Sequence, residues 1–117
     1  MTTDAAIEQE IQDKGLTAPR VTPDHIESII HAQFFFTGRE ALQSTILSSA
    51  QVKYLPPLEL LTFCVLVLAN GFTVTGESAC ASPENFDAAI GRKIARANAV
   101  AKIWPLEWYL LKSKLAG

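Results

Sequence analysis

Asn70-Gly71 is the feature that most constrains the fold of this chain. It stands between two apolar-rich strings, Phe63-Cys-Val-Leu-Val-Leu-Ala69 and Phe72-Thr-Val-Thr-Gly76. Asn-Gly is the favoured pair for a two-residue type I′ turn, whose central positions both need positive φ. The flanking strings therefore predict a β-hairpin with strands at about 61–69 and 72–80. That turn sets Ala69 against Phe72, Val67 against Val74, Val65 against Gly76 and Phe63 against Ser78. One face then carries Phe63, Val65, Val67, Phe72 and Val74 and is the expected core. The other carries Cys64, Leu66 and Leu68 on one strand and Thr73, Thr75 and Glu77 on its neighbour.

Ser82-Pro83-Glu84 has the pattern of a helix start, with a capping hydroxyl, a proline in the first turn and an acid at the positive dipole end. Phe86, Ile90, Ile94, Ala97, Ala101 and Trp104 follow at helical spacing and predict a long amphipathic helix over about 83–104. Gly91 interrupts its propensity, at about 1 kcal/mol relative to Ala, and points to close packing there. Pro105 should end that helix, leaving a short last one at about 106–115 that closes on Lys112 and Lys114.

Upstream, Thr22-Pro23-Asp24 is a second helix start, and Ile26, Ile29, Ile30 and Phe34 extend it to about Phe35 or Phe36. Residues 1–20 read as a flexible or short-helix lead, with Ala5, Ile7 and Ile11 as a thin stripe before Gly15. Arg39–Lys53 is ambiguous, and Pro56-Pro57 reads as a connector rather than helix or central strand. The whole is a single α+β domain over 21–117 behind that lead.

Composition narrows the class. Hydrophobic residues are 49%, enough for a core, and the net charge of −2 argues against a general polyanion or nucleic-acid binder. The first 59 residues carry −4 and the remainder +2, a weak basic bias toward the C-terminal half. No apolar run approaches the roughly 20 residues of a membrane span, and the acidic opening lacks the order of a signal peptide. Two cysteines without metal spacing fit reduced thiols. His25 and His31 lie six apart, off a common helix face, so no metal site is expected.

No nucleophile–base pattern, phosphate loop or dinucleotide fingerprint is present, so the expectation is a binding protein without enzymatic activity or cofactor. Arg92, Lys93 and Arg96, with Asn85 and Glu77, form the candidate group for an anionic ligand or acidic partner. The competing reading is a solvated face, or pairing with Glu77 or Glu84. Leu66 and Leu68 on the second hairpin face, with Phe35 and Trp108, are the candidate interface. A lone hairpin is marginal in water, so a homo-oligomer, first a dimer, is expected to cover them.

Gly71-Phe-Thr-Val-Thr-Gly-Glu-Ser-Ala-Cys-Ala-Ser-Pro-Glu-Asn-Phe-Asp87, then Ile90-Gly-Arg-Lys-Ile-Ala-Arg96, Asn98-Ala99 and Lys102-Ile-Trp-Pro-Leu-Glu107, resemble the gene-49/gene-66 family of small tailed-phage and prophage proteins. The resemblance spans about 60–115, and Trp108 stands where a glycine is expected before Tyr-Leu-Leu, which puts the conformation after Pro105 in question. It implies a phage-encoded accessory protein acting in the host bacterial cytoplasm, in a largely uncharacterised family, so it implies no activity. The leading expectation is a non-enzymatic protein that binds and blocks or sequesters a host component, as in counter-defence. The alternatives are a homo-oligomeric binder of a small anion such as a nucleotide, through Arg92 and Arg96, and a nucleic-acid accessory factor.

Overall fold

The computed structural model describes residues 3–117. It is α+β: a three-stranded antiparallel sheet with one long helix laid across one face. The strands are β1 (Ile30–Thr37), β2 (Leu61–Leu68) and β3 (Thr73–Ala79), in the spatial order β1-β2-β3.

The third strand corrects the sequence reading. The helix begun at Thr22, whose hydroxyl accepts from the His25 amide at 3.1 Å, is only α2 (Pro23–Ser28). From Ile30 the chain turns into β1, and Phe34, Phe35 and Phe36 pair with Val65, Cys64 and Phe63. As a helix the three phenylalanines would project on three sides. As a strand they alternate, and the β2–β3 hairpin gains the third strand that a two-stranded ribbon lacks.

The hairpin register is also offset by one residue. Leu66 lies opposite Val74, Val65 opposite Thr75 and Cys64 opposite Gly76. The Leu68 amide donates to the Phe72 carbonyl and the Gly71 amide to the Leu68 carbonyl, both at 2.8 Å. The loop is therefore three residues, Ala69-Asn70-Gly71, and only Gly71 has positive φ, at 87°. The Asn70 side-chain oxygen accepts from the Phe72 amide at 2.9 Å, which further fixes this three-residue loop. Because side chains alternate with period two, this single step exchanges the faces of the second strand.

The covered face is thus Thr62, Cys64, Leu66 and Leu68 with Val74 and Gly76, and the expected core face of Phe63, Val65 and Val67 is half-exposed. Leu66 and Leu68, read from sequence as interface, are core at 0% and 6% exposure.

Their cover is α6 (Ala88–Leu115). It starts later than predicted: Pro83–Asn85 is a single 3-10 turn, and Asp87 caps α6 by accepting from the Ile90 amide at 3.0 Å. Pro105 does not break it, so the predicted pair of helices is one. The proline leaves the Ala101 carbonyl without its intrahelical donor, and Ala101 and Pro105 both lie on the exposed side where water can serve it. The buried stripe is Gly91, Ala95, Ala99, Val100 and Ile103, whereas Ile90 and Ile94, expected inside, are 55% and 48% exposed.

The β1–β2 connection is built of single helical turns, α3 (Gly38–Ala41), α4 (Ser49–Val52) and α5 (Leu55–Leu58). Pro56 and Pro57 sit in the first turn of α5, where their missing amides are not needed, so the connector is helical after all. Residues of the lead form α1 (Asp4–Asp13), followed by Gly15 at φ 67°.

Candidate functional site

Arg96 is the best-connected cation of the candidate group, but its partners are internal. Its guanidinium donates to Glu27 Oε1 and Oε2, at 3.1 and 2.8 Å, and to Gln33 Oε1 at 2.9 Å. This fork ties α6 to α2 and to β1. Glu27 is held below its ordinary 4.5 chiefly by those hydrogen bonds, with burial opposing. Glu77 and Glu84, the partners considered from sequence, are not the ones used. Glu27 and Gln33 escaped the sequence reading because 69 and 63 residues separate them from Arg96.

Arg92 and Lys93 are exposed and enter no ion pair among the described residues. Asn85, in the 3-10 turn, and Glu77, on the half-exposed sheet face, are not brought into one group with Arg96. The Glu77 carbonyl accepts instead from Asn98 at 2.8 Å, fastening β3 to α6.

Arg92 does share a cleft of about 160 Å³ with Phe36, Thr37, Thr62 and Phe86, where the start of α6 meets β1 and β2. Thr62 is 3% exposed, and its hydroxyl has no hydrogen-bond partner. A buried hydroxyl without a partner costs on the order of 1–3 kcal/mol, and among the described residues Thr62 Oγ1 is the buried side-chain polar atom that lacks one. The predicted face assignment hid Thr62; in the correct register it lies beneath Gly91.

The second surface is the half-exposed sheet face. Phe36 stacks on Phe63 with centroids 5.4 Å apart, and Ala32, Phe34, Val65, Val67, Thr73 and Thr75 continue the surface. Phe34 is 57% exposed. Phe35, proposed from sequence as interface, instead points to the covered side and packs against the core. Trp108 is 57% exposed, beside Trp104 at 6.0 Å between ring centroids.

Further contacts fix the ends of α6. His25 Nε2 lies 2.6 Å from Glu107 Oε1, joining α2 to α6, so this histidine is a clamp between helices. Cys64 is buried, and burial pushes its thiol pKa up; Cys80 donates to the Ser82 carbonyl at 3.2 Å. Among the described residues no cluster of three or more His, Cys, Asp or Glu could hold a metal ion, and no helix is long and apolar enough to cross a membrane.

Residues 21–115 match the family model described as Phage protein (N4 Gp49/phage Sf6 gene 66) family. The match reaches well upstream of the stretch that carried the resemblance and takes in α2 and β1. No curated protein and no solved structure matches.

Proposed function

Since the chain belongs to the phage N4 Gp49/Sf6 gene 66 family, we propose that it is a non-enzymatic phage accessory protein that binds and withholds a component of the bacterial host, and that it works as a homo-oligomer. The observation that carries the reading is surface left over from folding. The chain exposes 8211 Å², against about 6,200 Å² for a compact monomer of this mass. Its radius of gyration is 18.2 Å, against about 13 Å for a compact chain of this length. The surplus, roughly 2,000 Å², falls in the range that one subunit of an obligate homodimer buries.

The half-exposed sheet face suits a second copy. Its centre of Phe34, Phe36, Val65 and Val67 is uncharged, so no like charges meet across a two-fold axis. Light scattering at tens of micromolar tests the assembly. A dimer mass that falls to a monomer in Phe34→Asp, with the helical signal retained, is the expected result. A monomer mass for the unsubstituted chain would remove the homo-oligomer from the reading. Affinity capture from infected cells then tests the host component.

A second reading takes the withheld component as a small anion such as a nucleotide. What supports it is the Arg92 cleft, which holds three aromatic rings, the Thr62 hydroxyl and a guanidinium without an ion-pair partner among the described residues, with the Glu40 carboxylate also on its wall. A nucleotide that binds there should raise the melting temperature by mass action, and Arg92→Glu should abolish that rise. No rise with any nucleotide tried would leave the host-protein reading.

A further inference from the structure

The strongest unexplained feature is α1. It buries none of its residues, and Ile7 remains 44% exposed. It also lies outside the matched family unit, which begins at residue 21. A ten-residue helix is marginal in water by itself, so something must hold it. Apolar packing does little of this, because clefts remain on both sides. One, of about 420 Å³, is lined by Ile7 and Ile11 of α1 together with Val21, Ala101, Trp104 and Trp108. The other, of about 610 Å³, lies between Asp4 or Ala5 and the Lys93, Arg96 and Val100 side of α6.

The attachments are polar. Both nitrogens of the Arg20 fork donate to the two carboxylate oxygens of Glu8, one of them at 2.6 Å. The Trp104 indole N–H donates to Asp4 at 3.2 Å. Six residues, 14–19, join the end of α1 to Arg20, with Gly15 at positive φ. This is a small element tethered at two points over a gap, with few buried contacts, which is the composition of a segment that opens before the rest of a fold.

We infer that α1 is a detachable latch, laid over the Trp104 side of α6, which leaves as a unit while the sheet and α6 stay folded. Release would open the two clefts into one surface of Trp104, Trp108, Val100 and Lys93, apolar with a cation at its edge. This device is independent of which host component is bound.

The chain carries its own reporter, since Trp104 and Trp108 are its two tryptophans and both line the latch. In full-length protein with Trp108→Phe, an exposed position, Trp104 alone reports. Adding Glu8→Ala is expected to shift its emission to the red and to speed amide exchange across 4–13 on the order of tenfold. Exchange in β2 and the melting temperature should not move. The charge-swapped pair Glu8→Arg with Arg20→Glu is expected to restore both signals. Unchanged emission and exchange in Glu8→Ala would overturn the latch, as would β2 exchange rising in step with α1. Failure of the swapped pair to restore them would overturn the tether. The same exchange measurement on protein retaining Trp108 keeps the test free of that substitution.

Discussion

Gly76 of β3 and Ala99 of α6 touch backbone to backbone. A Cβ built on Gly76 would lie 2.3 Å from the Ala99 amide nitrogen and 2.2 Å from the Ala95 carbonyl oxygen. Neither atom can rotate away, so the helix sits on the sheet only because position 76 has no side chain. Facing it, α6 presents Gly91, Ala95 and Ala99 at four-residue steps. Gly76→Ala is therefore expected to destabilise by about 3 kcal/mol, the upper end of overpacking costs, by forcing α6 off the sheet. Urea denaturation measures it, and a midpoint unchanged from the parent would mean that helix and sheet are not this close.

Gly71 presents a different demand. Nothing lies within 4 Å of a Cβ there, so space is not the constraint, but its φ of 87° is. Gly71→Val should cost about 1–2 kcal/mol through backbone strain alone. Thermal melting reads the loss, and Gly71→Asn, which tolerates positive φ better, should recover part of it.

Leu66 and Phe34 should separate folding from assembly. Leu66 is fully buried, so Leu66→Glu would place a carboxylate in the core, with a cost of several kcal/mol that a small domain cannot absorb. An unfolded chain by circular dichroism is the expected outcome. Phe34 is exposed on the single chain, so Phe34→Asp should keep the far-ultraviolet spectrum while lowering the melting temperature and removing its dependence on protein concentration. A folded Leu66→Glu variant would contradict the observed register.

Acid should loosen the fold through Glu27. Its folded pKa is depressed by Arg96, so its contribution is present above the ordinary value of 4.5 and is lost as pH falls through the folded one. Glu27 is half-exposed at the side chain, and the contribution should stay below about 1 kcal/mol after solvent screening. Denaturation midpoints between pH 7 and 3 should therefore fall less steeply in Glu27→Gln than in the parent. Equal slopes would mean that the Arg96 fork is not formed in solution.

Glu8 titrates in a lower window. The Arg20 fork holds its pKa at about 2, so the attachment of α1 is complete above 4.5 and is lost as pH falls from 4.5 through about 2. Trp104 emission should follow that window, and Glu8→Gln should remove the transition.

Much of the local structure was legible in the sequence because it depends on near neighbours. Thr22-Pro23 starts a helix, Asn70-Gly71 turns a hairpin, and the helical spacing after residue 86 continues into α6. What the sequence could not decide was every choice that turned on one residue of offset or on a distant partner. A two- or three-residue loop at Asn70-Gly71 differs by one position, yet that position moves Val74 beside Leu66 and turns Phe63 outward. Phe34-Phe35-Phe36 fits helix or strand by propensity, and pairing with β2 chose the strand. Ile90 and Ile94 formed the more hydrophobic stripe of α6, but Gly76 admits only a face of small residues, so Gly91, Ala95 and Ala99 went inward. The binding surfaces follow from those choices, since the sheet face left open and the Arg92–Thr62 cleft exist only once register, third strand and helix face have been set by packing.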